Sequence, residues 1–167
     1  RQNKILACES RFDVARRDMS FRSFMHVALL EARAAAARGE IPVGAVVVDA
    51  VGQVVAQAGN RTRELNDPSA HAELLAIRAA CQRIGQERLA NHDLYVTLEP
   101  CPMCAGLIAA ARIRRLYYGA ADAKSGGVGQ GPRVFSHPQS HHTPEIFEGI
   151  DGAECAGLLK AFFNRLR

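Results

Sequence analysis

Apolar positions follow two rhythms along this chain, and their alternation predicts the fold. From Phe21 to Arg38, Phe24, Val27, Ala28, Leu30 and Ala34 recur at helical spacing, and Gly39 ends the run. Val43 to Val48 is continuously apolar. After a turn containing Asp49 and Gly52, Val54 to Ala58 reads as a second strand, so the two predict a hairpin. A helical pattern runs from His71 to Ile84, with Leu74, Leu75, Ile77 and Arg78 setting its faces. Leu94, Val96 and Leu98 alternate with Tyr95 and Thr97, a strand over residues 93–98. Residues 103–111 read as helix, 113–118 as strand, 145–148 as a short strand, and 153–166 as an apolar-faced closing helix. Residues 119–144, rich in Gly, Pro, Ser and His, predict a long functional loop. Helices alternating with strands after an opening hairpin predict an α/β class protein, a three-layer α/β/α sandwich around a mixed five-stranded sheet.

Length and composition narrow this picture only modestly. The 167 residues suit one domain with a substantial core, and no repeat or linker interrupts them. Residues 1–18 are polar, mixed in charge and without period. They read as an extension before Met19, leaving 19–167 as the single domain. No stretch reaches the eighteen or so apolar residues of a membrane span, and no signal-peptide pattern opens the chain. Five cysteines, an odd number, argue against a disulfide framework and for a reducing cytoplasm. The net charge of +4 permits an anionic partner without demanding one.

The candidate chemistry lies in His71-Ala72-Glu73 and, thirty positions after His71, Cys101-Pro102-Met103-Cys104. His71, Cys101 and Cys104 are three zinc ligands, and three rather than four leave a coordination position for water, whose pKa falls to roughly 7. Glu73 is the free carboxylate that can carry protons between that water and a substrate nitrogen. Cys101 and Cys104 share one face of a helical turn, and Pro102 suits the first helical position. His71 and Glu73, two apart, can serve one centre only if His71 sits at a helix start. Asp67 and Ser69 are candidate capping residues there. The competing reading is a four-ligand structural zinc completed by Cys81, Cys155 or another His, but it leaves Glu73 without a role.

A His-x-Glu followed by Pro-Cys-x-x-Cys resembles the signature of the zinc nucleobase deaminases. From Met19 onward the chain is similar to the bacterial tRNA-specific adenosine deaminases of the cytidine deaminase-like superfamily. The resemblance rests on Pro42-Val43-Gly44-Ala45-Val46, Gly59-Asn60-Arg61, residues 67–73, residues 94–101, the segment Tyr118 to Lys124, and Phe162-Phe163. It implies one Zn2+ per subunit and a homodimer, with conversion of adenosine to inosine at the wobble position of a tRNA anticodon, typically an arginine tRNA. It further implies that Asn60 and Ala72 bind the base, and that Asp122 and Lys124 lie near the nucleotides flanking the target. Phe162, Phe163, Arg165 and Arg167 form an aromatic-basic C-terminus suited to stacking a base and contacting phosphate.

Plainer readings stand beside these. Asn60 fits an ordinary turn residue after Gly59. One or both of Phe162 and Phe163 fit the apolar stripe of the last helix, and Arg112, Arg114 and Arg115 a solvated strand edge. His137, His141 and His142 raise a second metal site against a His-rich surface loop. The 126–143 segment departs from the family's usual composition. Helix 103–111 and the strand after it are candidate interface or core. The rival functions are deamination of a free base or nucleoside such as guanine or cytosine, and a non-catalytic zinc-stabilised RNA-binding module.

Overall fold

The computed structural model describes residues 21–166; the 1–18 extension, Met19 and Arg167 lie outside the described residues. Ten elements follow one another: α1 (Met25–Ala37), β1 (Gly44–Val48), β2 (Val54–Gly59), α2 (Ala72–Ile84), β3 (Asp93–Leu98), α3 (Pro102–Ala110), β4 (Arg115–Ala120), a 3-10 turn at Val134–Ser136, β5 (Glu145–Glu148) and α4 (Gly152–Arg165). The strands form one sheet in the order β2-β1-β3-β4-β5. β1 runs antiparallel to β2 and to β3, while β3, β4 and β5 are parallel. The sheet is therefore mixed and five-stranded, as the alternation of patterns predicts.

Side-chain alternation splits the core into two layers. Ala45, Val47, Leu94, Val96, Leu116 and Tyr118 face α2 and α3, where Ile77, Ile108 and Ile113 meet them. Val46, Val48, Tyr95 and Tyr117 face the other way, against Phe24, Met25 and Leu29 of the α1 segment and Cys155 of α4. Strands buried on both faces read as unbroken apolar runs, which is why Val43 to Val48 shows no period of two. Fully burying each large aliphatic residue contributes about 1.5–3 kcal/mol relative to exposure.

Two sequence expectations shift here. α1 begins at Met25 rather than Phe21, and its buried stripe is Met25, Ala28, Leu29, Ala32 and Ala35, while Leu30 is 61% exposed. In an alanine-rich helix the small residues can approach the sheet closely, so the larger Leu30 misleads the choice of face. The strand expected at 113–118 lies at Arg115–Ala120 and is buried between β3 and β5, so it is core and not interface.

The topology sets one end of the sheet apart. Because β1 is antiparallel to its neighbours, its start lies beside the carboxyl ends of β2, β3 and β4: Gly44 pairs with Gly59, and its N–H donates to Thr97 Oγ1 at 3.1 Å. Ligand sites in open α/β sheets form outside the carboxyl ends of the strands. Asn60, Glu99 and Ala121 leave the sheet there.

Candidate active site

α2 and α3 both begin at this end, and in both the residue just before the helix is a metal-ligand candidate. His71 (φ −73°, ψ 151°) precedes α2, and Cys101 (φ −68°, ψ 170°) precedes α3 with Pro102 in the first turn. The extended backbone at these two residues turns their side chains toward a common point that regular helical geometry would not reach. His71 Nδ1 lies 3.6 Å from Cys101 Sγ and 3.6 Å from Cys104 Sγ. Zinc bonds of roughly 2.3 Å to sulfur and 2.1 Å to nitrogen in a tetrahedron separate S and N donors by about 3.6 Å. The trio therefore fits zinc both in chemistry and in spacing, with Nδ1 as the ligating nitrogen. Among the described residues no fourth His, Cys, Asp or Glu joins the cluster. Cys81 contacts the Glu87 carbonyl, and Cys155 belongs to the opposite core layer, so neither completes a structural centre.

Electrostatics agree with ligand duty. Cys101 is drawn down to about 4 by the hydrogen bond from Cys104 and by His71, while Cys104, donating to Cys101 and buried, is pushed up. Glu73 is 3% exposed in the first turn of α2. Burial raises it to about 7 despite its own backbone N–H and the His71 charge. The two helix starts favour the negative charge gathered between them.

Asn60, 5% exposed, leaves β2 beside α2. Its Oδ1 accepts the Ala72 N–H at 3.1 Å, so it satisfies an unpaired amide at the start of α2. That bond fixes the orientation of the side-chain amide and leaves Nδ2 as the free donor. Ala72 is fully buried and its N–H is committed to Asn60, so it shapes the site through that residue. The expected capping of α2 by Asp67 and Ser69 does not occur. Asp67 Oδ1 accepts from the Ser69 N–H and hydroxyl, closing a turn upstream instead.

The outer residues divide. Asp122, Lys124 and Phe163 line one cavity of about 600 Å³ with Ile41, Leu98 and Leu159. Phe162 is 5% exposed and is core, whereas Phe163 is 45% exposed. Arg165 does not line this cavity; its guanidinium turns back to the Ala161 carbonyl. Arg114 forms a bidentate pair with Asp93, Arg115 pairs with Glu145, and Arg112 binds the His141 carbonyl. Those three arginines fasten the sheet and its loop. His137 accepts from the Gln139 N–H and His142 meets the Ile113 carbonyl, and among the described residues the histidines form no second metal cluster.

Two residues escape sequence reasoning, both buried carboxylates. Glu40, 1% exposed, accepts the N–H groups of Arg63 and Glu64 and binds the Thr62 hydroxyl, holding the loop that follows Asn60. Glu99, 2% exposed, accepts four backbone N–H groups from Asp122, Val128, Gly129 and Gln130. Burial alone would raise Glu99, but those four donors outweigh it and hold the carboxyl below its ordinary range. An acid at the end of an apolar strand is the one sequence signal for it.

Three converging ligands, a buried carboxylate and an oriented amide at the open end of a mixed sheet define a zinc deaminase domain. Residues 19–120 match the cytidine and deoxycytidylate deaminase zinc-binding region. The chain is 57% identical to a tRNA-specific adenosine deaminase of Agrobacterium fabrum over 144 residues, covering 86% of this chain and 94% of that one. A solved structure from studies of A-to-I editing by tRNA:A34 deaminases at the wobble position of transfer RNA is 58% identical, with TM-score 0.80 over 81% of this chain and 98% of that one. Guanine deaminase of Bacillus subtilis is more distant, at 32% identity and TM-score 0.58 over 84% and 92%. The chain belongs to the family of tRNA-specific adenosine deaminases.

Proposed function

We propose that this protein hydrolytically deaminates adenosine to inosine at the wobble position of a tRNA anticodon, with His71, Cys101 and Cys104 holding zinc. The carrying observation is the 3.6 Å spacing of His71 Nδ1 from both sulfurs, with buried Glu73 two residues from His71 and the Asn60 amide bonded to Ala72 between them. When bound, zinc supplies the Lewis acidity that makes water a competent nucleophile near neutral pH.

This chain's residues supply the rest. Glu73 takes a proton from the attacking water and delivers it to ring N1 as oxygen adds at C6. It then takes the proton of the new C6 hydroxyl and passes it to the exocyclic nitrogen; the C6–N bond breaks as the C6 carbonyl forms, so water and adenosine give inosine and ammonia. The burial of Glu73 beside the ligands, with no fixed partner among the base-binding residues, leaves the carboxylate available for both duties. Asn60 Nδ2 donates to N7 and sets the purine plane, with Oδ1 anchored on Ala72. Asp122, Lys124 and Phe163 receive flanking nucleotides in their shared cavity, where an aromatic face offers stacking and Lys124 a phosphate contact. Arg165, outside that cavity on the exposed side of α4, adds a positive charge to the same helix as Phe163.

An arginine tRNA is the substrate we favour, and a homodimer the working form. Exposed Met103, Gly106 and Ala110 on α3 offer the dimer an apolar face. Among the described residues no helix is long and apolar enough to cross a membrane, and free thiols suit the reducing cytoplasm where tRNA resides.

The test pairs two assays on the zinc-loaded protein. Inosine is measured on an anticodon stem-loop with adenosine at the wobble position, and ammonia release on free adenosine, guanine and cytosine. The stem-loop is expected to turn over and the free compounds to remain intact. Turnover of guanine or cytosine with the stem-loop untouched would defeat the reading.

A further inference from the structure

Glu99 lies between the metal-ligand segment and the segment carrying Asp122 and Lys124, and it touches both. Its own N–H donates to the Ala120 carbonyl at 2.8 Å, closing the carboxyl end of β3 on that of β4. Two residues later the chain reaches Cys101. One carboxylate oxygen accepts three successive N–H groups, from Val128 at 3.1 Å and from Gly129 and Gln130 at 2.9 Å. The other accepts the Asp122 N–H at 3.0 Å. Asp122 in turn accepts the N–H groups of Lys124 and Ser125, so order in that turn begins at the Glu99 carboxylate.

The loop is fitted around this group. A Cβ at Gly126 would fall 2.6 Å from the Glu99 carboxylate and 2.5 Å from the Asp122 carbonyl. A Cβ at Gly127 would fall 2.6 Å from Pro102 N, and the Gly127 N–H donates to the Pro100 carbonyl at 2.8 Å. The glycines that set this segment apart in composition are thus what lets the backbone close over a buried anion.

We propose that Glu99 is a positioning residue for substrate binding: its carboxylate fixes residues 121–130 so that Asp122 and Lys124 are presented toward the nucleotides flanking the target base. The proposal rests on the tRNA deaminase reading and deepens it. It assigns Glu99 to affinity for the polymer and not to the chemical step. A carboxylate accepts on both sides; Gln, of the same shape, must turn its NH2 toward backbone N–H donors on one of them.

Wild type, Glu99→Gln and Gly126→Ala are compared in steady state on an anticodon stem-loop, each first shown to carry one zinc per chain. Because a buried donor left without its acceptor weakens the loop, KM is expected to rise at least about tenfold in both variants, with kcat within about threefold. Gly126→Ala strikes the same contact from the loop side and decides the matter if Glu99→Gln fails to fold or to hold zinc. Unchanged KM, or a fall in kcat alone, overturns the proposal, the latter because it would place the effect on Cys101. Hydrogen exchange at the Asp122 and 128–130 amides reads the contact without substrate. It is expected to quicken at least about tenfold in Glu99→Gln, and unchanged protection overturns the proposal whatever the substrate proves to be. Wild-type protein that forms no inosine defeats the deaminase reading instead, and the two failures remain distinct.

Discussion

Glu73 is the residue on which the distinction between a metal-stabilised fold and an enzyme turns. A structural zinc needs neighbours that neutralise and enclose it, and a third anion beside two thiolates is a cost in that setting. Here a carboxyl 3% exposed is held next to the ligands, in a helix first turn whose dipole favours its charged form. Glu73→Gln keeps volume and polarity but cannot carry a proton. It is expected to retain one zinc per chain and to lose at least about a hundredfold in inosine formation. Metal analysis beside an inosine assay reads both, and near wild-type turnover would remove Glu73 from the proton path. Asn60 shows a second economy at this scale. Its Oδ1 completes the start of α2 while Nδ2 remains for a ligand, so the turn-residue reading and the functional one describe the same side chain. Residue type and spacing made the ligands and Glu73 legible in the sequence, whereas Asn60 stood out from an ordinary turn residue only through the family resemblance. Glu99 was not, because its partners are backbone N–H groups 23–31 residues further on, and backbone donors leave no mark on residue identity.

Helices and strands were legible where their periods were long, and less so where packing chose between faces. α2 and β3 appear at the predicted positions, but α1 turns its alanines inward. Asp67 and Ser69 have capping chemistry but spend it on each other, since the first amide of α2 is already claimed by Asn60. α4 meets the sheet even more closely. Cys155 Sγ fills the space above Gly119 of β4, where a Cβ would fall 2.4 Å from it. Burial there pushes the thiol up to about 11, with Asp151 and Glu154 adding to the shift. The folded state therefore favours the neutral thiol. Its contribution is complete below the ordinary value near 9 and is lost as pH rises toward 11. On the order of 2 kcal/mol of stability is expected to disappear across that window. Cys155→Ala is expected to be less stable at neutral pH yet to show a shallower decline from pH 9 to 11 in denaturant melts. Parallel declines in the two proteins would mean the thiol ionises as freely folded as unfolded.

At the scale of the molecule, one end of the sheet carries the function and the rest carries that end. The antiparallel β1 brings the exit of β2 beside the exits of β3 and β4, so Asn60, Glu99 and Ala121 emerge together. Two helices start there on one face, and the ligands at their starts come from segments separated by thirty residues. Cys101 and Cys104 pull each other's thiols in opposite directions, Cys101 down and Cys104 up, and both face His71 across the cluster. Zinc that binds the folded state alone adds RT ln(1 + [L]/Kd), about 4 kcal/mol when free metal is a thousandfold over Kd. In a domain of this size that corresponds to a Tm change on the order of 10 °C. Stripping with a chelator, with loss checked by metal analysis, is expected to lower Tm by that amount, and added Zn2+ to restore it. Mg2+ is not expected to substitute, since thiolate and imidazole donors do not suit it. A Tm unmoved by verified zinc loss would mean that packing alone holds the two helix starts together. The metal would then serve the chemistry without serving the fold.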